Sequence, residues 1–202
     1  MALPASLRTS LTPPEMELIA SEETIEIVPL ISMERIAFIS VRRYVFFVVA
    51  IAVKASEQGA YGPLRPPNKT KIPLWMAMNL KLKKKCHVVP PEWLDADYLQ
   101  ERLAHETGAP NFSELPLRFA EIAKVLLDVA SDDIQNPDRV RSLLKDIREV
   151  RQAKIRDGLK EIDHSELTLI NICSMEVNEI RPFYTRAMDV LTQLSRDPLA
   201  ES

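Results

Sequence analysis

The chain has 202 residues, 46% hydrophobic and 27% charged, enough for one generous domain or two small ones with a sizeable core. A net charge of −3 argues against an autonomous nucleic-acid binder, which carries a clear basic excess. Only four glycines are present, and no GxxxxGK or GxGxxG occurs, which removes the common phosphate-cradling loops and the nucleotide chemistry they support.

Other broad classes fall away as quickly. Two cysteines, Cys86 and Cys173, are too few for a disulfide framework or a four-cysteine zinc site, and they read as reduced thiols of an intracellular protein. The opening MALPASLRTSLTPPE lacks the charged start and apolar run of a secretory signal. The most apolar stretch, Tyr44 to Val53, is ten residues long, well short of the roughly 20 that span a bilayer.

In chain order, Thr12-Pro13-Pro14-Glu15 is a helix start, with a hydroxyl cap, proline in the first turn and a capping-box glutamate, and the helix extends to about Ser21. Thr24 to Val28 alternates and is β-branched, as a half-buried strand should be, and 35–39 reads as a second strand. Residues 59–71 form a proline-rich loop. IPLWMAMNLKLKKK is compatible with helix or strand; Pro73 at its start favours a short helix, followed by a strand at 86–89 that Pro90 and Pro91 end.

Beyond residue 95 the pattern is almost wholly helical. Asp95 caps a helix that Gly108 stops. Leu117 to Val129 is apolar nearly all round, which predicts a helix in the middle of a bundle. Asn136-Pro137-Asp138 opens a long helix with Val140, Leu143, Leu144, Ile147 and Val150 on one face. The last helix, about 174–195, carries Ile180, Phe183, Tyr184, Ala187, Met188, Leu191 and Leu194 at i, i+3, i+4, i+7 spacing. The expected class is therefore α+β, mostly α: a small β-rich domain over 1–94 and a helical bundle over 95–202.

Few residues carry a signal of chemistry. Lys81, Lys83, Lys84 and Lys85 form the densest basic cluster, either a contact for phosphate or an acidic partner or a solvated face. Glu161, Asp163, His164 and Glu166 read as a polar connector rather than a metal site, and Cys86-His87 has no second ligand pair at metal spacing. No G-x-S-x-G or cysteine-protease signature exists. Catalytic, cofactor and metal residues are thus all expected to be none. Trp75 and Trp93 flank the basic cluster, as core or as interface anchors. Arg148, Arg151, Lys154, Arg156 and Lys160 alternate with Asp146, Glu149, Asp157 and Glu161, a ladder expected on a wet face or steering a partner.

At IPLWMAMNLKLKKKCHVVPPEWLD, residues 72–95, the chain resembles the PSF-two subunit family of the GINS DNA replication complex. TIEIVPLISMERIAFIS, SLLKDIREVRQAKIR and LTLINI extend the resemblance over nearly the whole chain. The resemblance implies a nuclear, non-enzymatic subunit of a four-chain assembly without cofactors. That assembly would link the minichromosome-maintenance helicase ring to its cell-division-cycle accessory factor. Carried over by motif position, the interface candidates are Leu74, Trp75, Asn79, Lys81, Pro90, Pro91, Trp93, Asp146, Arg151 and Lys154. The competing class is a stand-alone nucleic-acid-binding module using Lys81–Lys85. One segment is foreign to the resemblance: the 18 residues 41–58, whose Val-Arg start and Gln end are compatible with splice signals. They read as a retained intron or gene-model error, with an extra strand or hairpin arm as the alternative.

Overall fold

The computed structural model describes residues 9–37, 60–160 and 170–194. Both 41–58 and 161–166 lie outside the described residues. The architecture is α+β and mostly α, as expected, and it divides into two compact units. One unit spans Glu23–Val89; the other takes the chain up to Glu22 and from Pro90 onward.

The first helix, α1 (Pro13–Ala20), starts where its capping residues place it: the Glu15 carboxylate accepts from the Thr12 backbone N–H at 2.8 Å and the Thr12 hydroxyl at 2.7 Å. It belongs to the helical unit, which corrects the expected 1–94 domain. The physical reason is side-chain and backbone bonding to residues 99 to 167 positions downstream. Arg118 donates to the Ile19 carbonyl at 3.0 Å, Lys124 pairs with Glu17, and the Asn178 amide accepts from and donates to the Leu11 backbone at 2.7 and 2.9 Å.

In the smaller unit, β1 (Thr24–Pro29) is central. A short β2 (Ile36–Ala37) pairs antiparallel with β3 (Ala60–Tyr61), with Ile36 facing Tyr61 and Ala37 facing Ala60. Then β4 (Thr70–Pro73) and, after helix α2 (Leu74–Leu82), β5 (Cys86–Val88) flank β1, both antiparallel to it. Alternation along β1 buries Ile25, Ile27 and Pro29, and these with Ile72, Cys86 and Val88 meet Leu74, Ala77 and Leu80 of α2. Leu64, fully buried, is bridged to Met33 by paired backbone bonds of 2.8 and 2.9 Å. Gly62 has φ +104, and an added Cβ would sit 3.2 Å from the Leu64 nitrogen, so the turn requires glycine.

The ambiguous 72–85 stretch thus resolves as strand end, helix and turn. The close of α2 is unusual. Lys84 has φ 55, its N–H donates to the Lys81 carbonyl at 2.8 Å, and the Lys85 N–H donates to that of Leu80 at 2.9 Å. This is a Schellman close with lysine in the left-handed position glycine ordinarily fills.

A 3-10 turn, Glu92–Leu94, leads into α3 (Ala96–Gly108), capped by the Asp95 carboxylate accepting from the Asp97 N–H at 3.0 Å. Next come α4 (Phe119–Val129), α5 (Pro137–Lys160) and α6 (Ser174–Leu194). The expectation for 117–129 needs correction: Leu117 is 60% exposed and precedes the helix. Lys124 and Asp128 face solvent, while Phe119, Ala123, Leu126 and Leu127 are buried, so α4 is amphipathic rather than central. Of the face predicted on α5, Val140, Leu143 and Ile147 are buried and Leu144 and Val150 half-buried.

Candidate functional site

Three features of the described residues bear on function: a buried ion-pair clasp, an uncovered helix face and a basic corner. The clasp centres on Arg151, whose side chain is fully buried. Its Nε and Nη2 grip the Glu176 carboxylate at 2.6 and 2.8 Å. Nη1 reaches Glu106 at 2.6 Å and the Ser113 carbonyl at 3.3 Å, and Nη2 reaches the Asn171 carbonyl at 2.7 Å. All five guanidinium N–H groups are therefore used, and Cζ lies 4.7 Å from the Phe112 ring centroid.

The carboxylates are equally engaged. Glu106 also accepts from Lys154 at 2.6 Å and from the Ser113 N–H and hydroxyl at 2.8 and 2.7 Å. Burial raises the Glu106 carboxyl, but the bonds from Lys154, Ser113 and Arg151 outweigh it and hold it below the usual carboxylate range. Burial, then the negative Glu176, pushes the nearby Cys173 thiol far up. Cys86 and Cys173 are both buried and unbridged. Cys173, with its thiol raised in this way, is protonated and inert.

This arrangement corrects one expectation outright. Arg151 does not stand on a wet face: it ties α5 to α3, to α6 and to the 111–113 segment. Lys154, its side chain 18% exposed, is spent on the same clasp, bonding Glu106 and the Asn111 carbonyl at 2.9 Å. Sequence could not signal this, because the partners lie 45 and 25 residues away while tempting opposite charges sit one turn off.

The uncovered face belongs to α6. Its first half is anchored: Glu176, Asn178 and Ile180 are buried, as is Cys173 just before it. Pro182 then lacks the N–H that would donate to the carbonyl of Asn178 one turn earlier. Beyond it no described side chain is buried. Phe183 and Val190 are 54% and 53% exposed, and Tyr184, Ala187 and Met188 are half-buried. The predicted apolar stripe is present, but only Ile180 uses it to fill this chain's own core; the side chains of Leu191 and Leu194 are not among those described.

The remaining candidates scatter. Leu74 is core at 1% exposure. Trp75, Lys81, Pro90, Pro91 and Trp93 are half-buried; Asn79, whose amide donates to the Trp75 carbonyl at 2.8 Å, and Asp146 are exposed. Lys83 and Lys84 are exposed and Lys85 half-buried at the α2 close.

Comparison with known families decides the affiliation. Residues 93–195 match the GINS complex protein helical bundle domain and residues 57–89 the PSF2 N-terminal domain. The chain belongs to the PSF2 family of GINS proteins. It is 38% identical to the DNA replication complex GINS protein psf2 of Schizosaccharomyces pombe, over 96% of both chains. Against the Saccharomyces cerevisiae PSF2 protein identity is 34%, over 96% of this chain and 92% of the other. Against the human one it is 32%, over 89% and 90%. In this GINS chain the described residues form no cluster of three or more metal-ligating side chains, and no described helix is long and apolar enough to cross a membrane.

Proposed function

We propose that this chain is the PSF2 subunit of a four-chain GINS assembly. There it serves as a non-enzymatic structural part of the nuclear replicative helicase, supporting initiation and fork progression. The assembly in turn engages the minichromosome-maintenance ring and its cell-division-cycle accessory factor. The observation that carries this is the α6 face: a regular apolar stripe of which no described side chain beyond Pro182 is buried, Phe183 being more than half exposed and Tyr184, Ala187 and Met188 half-buried. A stripe of that regularity is stable in water when another chain covers it. Trp75, Asn79, Lys81, Pro90, Pro91, Trp93 and Asp146 remain interface candidates, whereas Leu74, Arg151 and Lys154 serve this chain's interior.

The test is co-expression with the three other GINS subunits, using the full chain and a version lacking 41–58, read by size-exclusion chromatography. A stoichiometric four-chain peak with either version is the expected outcome. If neither version co-elutes, the assembly reading is wrong. The competing reading, nucleic-acid binding by the isolated chain through Lys81–Lys85, draws on the exposure of Lys83 and Lys84. It predicts DNA affinity that falls steeply with salt.

A further inference from the structure

The end of α2 and the end of β1 meet at one corner of the smaller unit, because Pro29 pairs with Cys86 and the Leu30 N–H donates to the Lys85 carbonyl at 2.8 Å. Three large apolar side chains are exposed there: Leu82 at 70%, Leu30 at 47% and Ile31 at 44%. The same turn presents Lys83, Lys84 and Lys85. None of these three makes an ion pair among the described residues, in contrast to Lys71, Lys124, Lys145 and Lys154, each of which faces a carboxylate.

The backbone adds a third observation. Lys84 occupies a left-handed position at φ 55 that costs a lysine about 1 kcal/mol or more relative to glycine. A side chain held at such a cost marks a place where its chemistry, rather than its conformation, fits the structure.

We propose that this corner docks an acidic protein segment bearing apolar side chains, an interaction separate from the α6 face and independent of the assembly reading. Opposite charge selects the partner's carboxylates, while Leu30, Ile31 and Leu82 take its apolar residues. Nucleic acid fits less well: a phosphate backbone would use the lysines and leave three leucine-type side chains uncovered beside it.

The test is fluorescence anisotropy with a labelled peptide, Asp-Glu-Leu-Phe-Glu-Asp-Leu-Leu-Asp-Glu, titrated with the full chain, alone and co-purified with the other GINS subunits. Controls are the same peptide with serine at its apolar positions and a labelled DNA duplex. The leucine peptide should bind at least about tenfold more tightly than the serine peptide. The double variant Lys83→Glu with Lys84→Glu, and separately Leu30→Ser with Leu82→Ser, should each weaken it about tenfold. Lys84→Gly separates docking from folding: it should raise the melting temperature yet weaken the peptide complex. Equal binding of the two peptides, tighter binding of the duplex, no binding at all, or insensitivity to these substitutions would overturn the proposal. Because the isolated chain is one of the samples, failure of the four-chain assembly to form leaves this outcome readable.

Discussion

Arg151 shows how strongly one side chain is committed once it is buried. Its charge is compensated by Glu106 and Glu176, and its donors are all satisfied. Replacing it with methionine takes the only described counter-ion from buried Glu176 and leaves Glu106 with Lys154 alone, at a cost of about 3–5 kcal/mol. A urea titration of the purified chain should show that loss in full, and a stability change under about 1 kcal/mol would mean the clasp is dispensable. Lysine is no substitute, since its point charge cannot make the bidentate grip on Glu176. The same clasp gives an acid limit. Glu106 is more acidic folded than unfolded, so the unfolded chain binds more protons as pH falls below the ordinary value near 4.5. Its contribution is therefore complete above that value and lost as pH drops through the lower folded one. Melting temperature against pH should fall in that range, and the fall should be shallower in Glu106→Gln, which starts less stable.

At the level of elements, α6 divides into an anchored half and a presented half, with Pro182 between them. Phe183→Ser should leave the isolated chain's melting temperature within about 2 °C, because an exposed side chain carries little folding energy. In the four-chain assembly the same substitution should cost about 2 kcal/mol, seen as dissociation on dilution. Equal assembly of the variant and the parent would show that the face points elsewhere. The local signals of these elements were well legible: Thr12 with Glu15, Asp95, and Asn136-Pro137 all start helices where their chemistry says. Periodicity also located the α6 stripe. It did not reveal which part of the stripe this chain covers, because apolar spacing records that a face is buried and not by whom. Lys84 left no trace either, since a helix close is read from glycine and none is there. Arg151 was misplaced because i,i+3 and i,i+4 neighbours are visible in a sequence and tertiary partners are not.

For the molecule as a whole, the register between β2 and β3 bears on residues 41–58. Ala37 and Ala60 are ladder partners, so the chain returns to within one strand spacing of where it left. Without 41–58, Phe38, Ile39, Ser40 and Gly59 would join them, a four-residue connection within the usual hairpin range of about 2–5. Deleting 41–58 should therefore preserve the melting temperature to within about 2 °C, checked by circular dichroism. A collapse of the fold would identify the segment as part of it. Sequencing of complementary DNA across codons 40–59 gives the independent answer: transcripts lacking these codons are expected, and a population that carries them throughout would defeat the intron reading.

The pairing of α1 with helices far downstream has a consequence in time as well as space. The smaller unit is complete once Val89 has been made, but α1, synthesised first, has no partner until α4 follows about 100 residues later, and Leu11 waits longer still for Asn178. At about 5–20 residues per second that is an interval of roughly 5–20 s on the ribosome. During it Met16 and Ala20, the side chains this helix buries in the finished fold, sit on an eight-residue helix too short to persist by itself. The first described helix is thus secured only after the small sheet that follows it is complete, and a nascent chain should stay open to protease near residue 18 after that sheet has become resistant.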